Sequence, residues 1–142
     1  MSRAQIEAAI PHRKPMLLIE EIISQEEEKI VCRADFHGDE FFFQGHYPDF
    51  PLVPGVILCE AAMQTGAVLL SKFVTEAGGV PVATRMGEVK FKRMVRPGES
   101  VLIEVKLNER LANAFFMSAR VTCEGKLAAS LEFACSLSEV KS

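Results

Sequence analysis

The chain has 142 residues, 49% of them apolar, with 16 Lys and Arg against 19 Asp and Glu. That length suits a single domain, expected here to span residues 1–142, able to bury roughly 70% of its unfolded surface without a metal or disulfide staple. A net charge of −3 excludes the clearly basic surface of a nucleic-acid-binding domain, and a charged share of 25% in a half-apolar chain excludes disorder.

Residues 3–10 read as a short helix stopped by Pro11. Met16 to Ser24, with Met16-Leu17-Leu18-Ile19 and Ile22-Ile23, reads as a strand, followed by the charged turn Gln25-Glu26-Glu27-Glu28. Lys29 to His37 alternates apolar Ile30, Cys32, Ala34 and Phe36 with mostly polar neighbours, the period of a half-buried strand. Residues 38–54, rich in Gly, Pro and Phe, read as an ordered loop. From Gly55 to Ala77 apolar side chains surround the chain at helical spacing, which predicts a helix packed on all sides, stopped by Gly78-Gly79. Four strand-like runs follow, at 82–95, 100–110, 113–123 and 126–138, with Pro97-Gly98 and Glu124-Gly125 as turns. One buried helix with about six strands predicts an α+β domain in which a curled antiparallel sheet wraps a long central helix. The open edges of such a sheet favour self-association.

Cys32, Cys59, Cys123 and Cys135 are scattered, and Met-Ser-Arg-Ala-Gln-Ile-Glu at the N-terminus has no signal-peptide core. They read as reduced thiols of a cytoplasmic protein. Glu60 and Lys72 interrupt the most hydrophobic region, so no membrane insertion is expected. Residues 1–84 carry 6 basic and 12 acidic groups, whereas residues 85–110 carry 7 basic and 4 acidic. Lys90, Lys92, Arg93 and Arg96 form a cationic strip there, either a solvated strand face or a dock for an acidic partner.

Glu60 is the sharpest anomaly, the only charge between Asp49 and Lys72 in a helix without a polar face. A carboxylate so placed must be neutralised, hydrogen-bonded or working, and Gln64 one turn on could bond it. His46 lies in a loop stiffened by Pro48, Pro51 and Pro54. Pro54-Gly55-Val56 opens the helix, where unpaired N–H groups and a positive dipole end favour an anionic oxygen. A base, a carboxyl acid and oxyanion donors suit proton removal beside a thioester carbonyl and expulsion of a β-hydroxyl. Phe43, Val56 and their apolar neighbours would suit an acyl chain. His12-Arg13 reads as a structural loop pair, with a place at the edge of the site second, and Asp35, His37, Asp39 and Glu40 lack metal-ligand spacing.

Gly45-His46-Tyr47-Pro48-x-x-Pro51-x-x-Pro54-Gly55-Val56, followed by Glu60-Ala61-x-x-Gln64, resembles the signature of the (3R)-hydroxyacyl-acyl-carrier-protein dehydratases of FabZ type. Ile10-Pro11-His12-Arg13-Lys14-Pro15-Met16-Leu17-Leu18-Ile19 and Phe91-Lys92-Arg93-x-Val95-x-Pro97-Gly98 resemble two further motifs of that family, so the likeness runs from about residue 6 to 136. It implies a hot-dog fold and a homodimer with active sites at the interface, commonly built into a trimer of dimers. It implies His46 and Glu60 as catalytic residues, with Glu60 supplied by the other subunit. Gly55 N–H would meet the thioester carbonyl, and Gln64 would orient Glu60. It implies acyl carrier protein as the carrier, fatty acid biosynthesis as the setting, and neither cofactor nor metal.

Glu rather than Asp at position 60 resembles the simple dehydratases more than those that also isomerise the double bond. The chain departs from the family pattern at Asp49-Phe50, where Gly-Lys is common, at Tyr47 for Phe, at Glu20 for Asp, and at Met86-Gly87-Glu88 for Gly-Ile-Asp. A hot-dog thioesterase is the first alternative, and a non-catalytic acyl-binding homologue the second.

Overall fold

A computed structural model describes residues 3–77 and 79–138. Its elements are helix α1 (Arg3–Ala9), strands β1 (Glu21–Gln25) and β2 (Lys29–Asp35), a 3-10 turn (Phe41–Phe43), helix α2 (Gly55–Ala77), and strands β3 (Val80–Phe91), β4 (Ser100–Leu111), β5 (Ala114–Cys123) and β6 (Lys126–Ser138). The six strands form one antiparallel sheet in the order β1-β2-β4-β5-β6-β3. The expected α+β architecture, a long helix against a six-stranded antiparallel sheet, is present.

The sheet forms where the sequence alternates. In β2 the side chains of Ile30, Cys32 and Ala34 are buried while their neighbours are half-covered, and β4 and β5 bury Val101, Ile103, Val105, Phe115, Met117, Ala119 and Val121 in the same period. Glu124 and Gly125 both adopt positive φ, at 52° and 78°, which is the backbone of a two-residue hairpin turn joining β5 to β6. Against these inward faces lie Leu58, Ala61, Ala62, Val68, Leu69 and Leu70 of α2. Gly66 permits the approach, because a β-carbon there would fall 2.7 Å from the Phe133 ring. By length and composition the Gly55–Val74 stretch would pass as a membrane span, despite Glu60 and Lys72. With 61% of its apolar window buried against the sheet, it is the core helix of the fold.

Two strand boundaries depart from expectation with a visible cause. The strand foreseen from Met16 begins only at Glu21, because the Leu18 N–H and the Met16 carbonyl are taken by the Gln64 side chain and have nothing left for a ladder. Arg3 of α1 pairs with Glu20 just ahead of that strand. β3 ends at Phe91 rather than at residue 95, since the Lys92 and Arg93 N–H groups both converge on the Ala128 carbonyl. Within β1, a register shift between Ile22 and Ser24 leaves Ile22 buried and Ile23 exposed. Gly78, foreseen as part of the helix stop, lies outside the described residues, whereas Gly79 takes a φ of 86°.

α2 is also not covered on every side. Val56 is 69% exposed, and Glu60 and Met63, four and seven residues on, are only partly covered. These three share one helical face. β3 forms an edge of the sheet with Val82, Met86 and Phe91 exposed along it.

Candidate active site

His46 reaches its position through the loop between β2 and α2. The 3-10 turn fixes the entry, with the His46 N–H donating to the Phe43 carbonyl at 3.2 Å. Gly45 (φ 75°) and Tyr47 (φ 49°) then reverse the chain, and the Phe50 N–H closes the turn on the Tyr47 carbonyl at 2.9 Å. The His46 imidazole is half-buried, with the Tyr47 ring edge-on at 4.7 Å. Downstream, the Val53 N–H bonds the Val95 carbonyl at 2.7 Å, pinning the loop to the segment after β3.

His46, Tyr47, Leu52, Gly55, Val56 and Leu58 line a cavity of about 630 Å³, closed on its other side by residues 91–95. That volume lies within the range of small-ligand sites. At the mouth of α2 the Ile57 and Leu58 N–H groups turn back to the Pro54 carbonyl, at 2.9 and 3.4 Å. The N–H groups of Gly55 and Val56 carry no hydrogen bond among the described residues. Gly55 lets the Phe91 ring pack closely over the helix start, where a β-carbon would lie 2.8 Å from it. The cavity therefore holds an imidazole and the open end of a helix, in walls that are mostly apolar.

Glu60 lies one turn further along α2 and lines a different, small cavity of about 80 Å³ with His12, Met63, Gln64, Ala67, Pro81, Ala83 and Cys135. Gln64 is completely buried, and each of its polar atoms is hydrogen-bonded. Its Nε2 donates to Glu60 Oε2 at 2.9 Å and to the Met16 carbonyl at 2.7 Å, and its Oε1 accepts the Leu18 N–H at 2.9 Å. The foreseen Glu60–Gln64 bond is thus in place, and the same amide ties α2 to the segment before β1. His12, read from sequence first as a structural partner of Arg13, also stands at Glu60, with Nε2 3.8 Å from Oε2. Its neighbourhood was written in the Ile10–Ile19 motif, but residues 48 apart meet only in the folded chain.

Of the other residues singled out, Phe43 packs in the core against Phe42 at 5.0 Å and does not line the His46 cavity. Lys92 and Arg93 do line it. Arg93 is engaged by Glu99 at 3.3 Å and Glu124 at 3.5 Å, and Arg96 lies 5.4 Å above the Phe50 ring. Two acidic residues of the β2–α2 region, Asp35 and Glu40, have structural partners. Asp35 accepts from Arg33 at 3.0 Å and Ser100 at 2.6 Å, and Glu40 accepts the His37 and Gly38 N–H groups at 2.9 and 2.7 Å. Burial pushes both carboxyls up, but these bonds outweigh it and hold both below the ordinary carboxylate range. Burial pushes the Cys32 thiol up to about 12 and the Cys135 thiol to about 11.

Residues 10–132 match the FabA-like domain model. The chain is 36% identical over 137 residues to the 3-hydroxyacyl-[acyl-carrier-protein] dehydratase FabZ of Staphylococcus carnosus, covering 96% of this chain and 94% of the relative. It is 36% identical over 138 residues, with the same coverage, to the enzyme of that name from Staphylococcus aureus. The chain belongs to the FabA-like dehydratase family. Among solved structures it resembles the dehydratase heterocomplex ApeI:P of Xenorhabdus doucetiae, with a TM-score of 0.78 at 16% identity over 94% of this chain and 91% of that one. It also resembles a hypothetical thioesterase with coenzyme A from Streptococcus pneumoniae, with a TM-score of 0.67 at 12% identity over 98% and 95%. Both structures share the fold. The fold alone therefore does not separate dehydratase from thioesterase, while the family match does.

Proposed function

We propose that this chain removes water from 3-hydroxyacyl thioesters, carried on acyl carrier protein, to give trans-2-enoyl thioesters in fatty acid biosynthesis. The observation that carries the reading is the placing of an imidazole beside an open helix N-terminus, and of a hydrogen-bonded carboxyl one turn along the same helix, in a chain of this family. The thioester oxygen would accept the Gly55 N–H, which draws charge from C2 as its proton leaves. His46 takes that proton, and the C–H electron pair becomes the C2–C3 double bond. The C3–O bond breaks as Glu60 delivers a proton to the departing hydroxyl, so that water leaves. Return of the His46 proton to the Glu60 carboxylate, directly or through solvent, resets the site.

His46 and Glu60 line different cavities of one chain. We infer that a second copy completes the site, its Glu60 meeting the first copy's His46. The partly uncovered face of Val56, Glu60 and Met63 and the apolar β3 edge supply surfaces for a homodimer, and trimers of such dimers fit the family resemblance. Lys92, at the cavity wall, offers a cation to an acidic carrier. Four buried thiols suit a cytoplasmic setting.

The test follows the reverse reaction, loss of the conjugated ultraviolet absorbance of a short trans-2-enoyl thioester, together with free-thiol release. Absorbance loss without thiol, abolished in His46→Ala, is expected. Thiol release by hydrolysis would move the chain to the thioesterases. Saturable binding without either change would make it an acyl-binding homologue.

A further inference from the structure

Resting on the assignment of Glu60 as the acid, we propose that His12 is a positioning residue that, with Gln64, fixes the plane of the Glu60 carboxyl. The proposal starts from the loop that carries it. The Arg13 guanidinium binds three carbonyls, those of Glu7 at 2.9 Å, Ile10 at 2.8 Å and His12 itself at 2.7 Å. The backbone at His12 is thus held to the end of α1 by its own neighbour. A few residues on, Gln64 grips the Met16 carbonyl and the Leu18 N–H. One loop, clamped at both ends, therefore brings an imidazole to the carboxyl that the buried Gln64 amide of α2 already holds.

The imidazole meets that carboxyl on one side only. Nε2 stands 3.8 Å from Glu60 Oε2, the oxygen already held by Gln64, whereas Nδ1 is buried with no hydrogen-bond partner. A buried N–H without an acceptor is rarer than a buried acceptor without a donor. The tautomer that fits the site leaves Nδ1 bare and puts the proton on Nε2, facing Glu60. At 3.8 Å the contact is electrostatic rather than a hydrogen bond. It attracts Oε2 to the side where Gln64 already binds and leaves Oε1 as the oxygen free for chemistry. Both side chains meet Glu60 at Oε2, so each is placed to act through the carboxyl.

A positioning role is read in turnover rather than affinity. His12→Ala is expected to lower kcat roughly tenfold to hundredfold, the scale on which small misplacements of a reacting group are felt, with KM changed less than about twofold. His12→Gln restores a donor and is expected to recover most of the rate, whereas His12→Phe fills the space without a donor and is not. Thermal midpoints of all three report the fold. A His12→Phe enzyme as active as the wild type, or a rise in KM at unchanged kcat, would overturn the proposal. So would Ala, Gln and Phe variants losing rate in step with their thermal midpoints. Glu60→Gln, measured alongside, separates the two levels. A wild-type rate in Glu60→Gln would sink the role of the carboxyl itself, while an inactive Glu60→Gln beside a fully active His12→Phe would sink only the inference about His12.

Discussion

The two halves of the proposed site are built by opposite means. His46 hangs on irregular backbone, held by a 3-10 turn, a positive-φ residue on either side of it and a single bond from Val53 to Val95. Glu60 rides on a regular helix and is held by side chains, through an amide that donates both its N–H groups and accepts once. The first arrangement sets a backbone and leaves the imidazole half-exposed. The second sets a functional group directly and ties its geometry to the packing of the N-terminal segment. Damage to the His46 half should therefore be chemical and local, while damage to the Glu60 half should spread into stability.

The bluntest way to test that contrast removes the two groups themselves. His46→Ala and Glu60→Ala are each expected to lower the hydration rate by at least about 10²-fold, the scale of a lost general acid or base. If the site is shared between copies, mixing and re-forming dimers from the two inactive variants rebuilds one site in each mixed dimer, and roughly a quarter of wild-type activity should return. No recovery, with mixed dimers demonstrated by mass spectrometry, would place both groups in one subunit.

Gln64→Leu strikes the Glu60 half without touching the carboxyl. It leaves the buried Leu18 N–H without a partner, at about 1–3 kcal/mol, releases the part-buried Met16 carbonyl, and frees the Glu60 side chain. Chemical denaturation and kcat should fall together. Activity loss with unchanged stability would show that the amide orients Glu60 and anchors nothing.

That the Glu60 half was partly legible in the sequence follows from helix geometry. Positions 60 and 64 share a face whatever the rest of the chain does, so their bond could be read from spacing. The α2 span and the alternation of β2 were legible because period and composition agree there. The start of β1 was not, because Met16-Leu17-Leu18-Ile19 has the apolar content of a strand while its backbone groups are claimed by a side chain 46 residues away. The same tertiary cause hid His12. The separation of His46 and Glu60 into two cavities is likewise invisible to local pattern, and a site divided between subunits is what the family resemblance implies.

A smaller effect is expected at the mouth of the His46 cavity. Lys92→Glu reverses a cation on its wall that has no ion pair among the described residues, whereas Arg93 is held by Glu99 and Glu124. KM for a carrier-protein substrate should rise severalfold, with little change for a coenzyme A thioester, and the gap should close as salt screens the charge. Equal effects on both substrates would mean that Lys92 contacts what the two carriers have in common.

The mildest test asks whether the irregular loop leading to His46 depends on its own carboxylate cap. Glu40 accepts the His37 and Gly38 N–H groups, and these bonds hold its carboxyl below the ordinary range although burial opposes them. The folded-state pKa is thus lower than the unfolded one. The stability it contributes is complete above the unfolded value of about 4.3 and is lost as pH falls through the folded value. Glu40→Gln should melt a few degrees below the wild type at pH 7, with the difference shrinking as both are titrated below about pH 4. A difference that persists undiminished in acid would show that the side-chain amide simply fits the turn less well. In that case the carboxylate's charge would not be what holds the β2–α2 loop, and the backbone bonds that follow it would have to place His46 on their own.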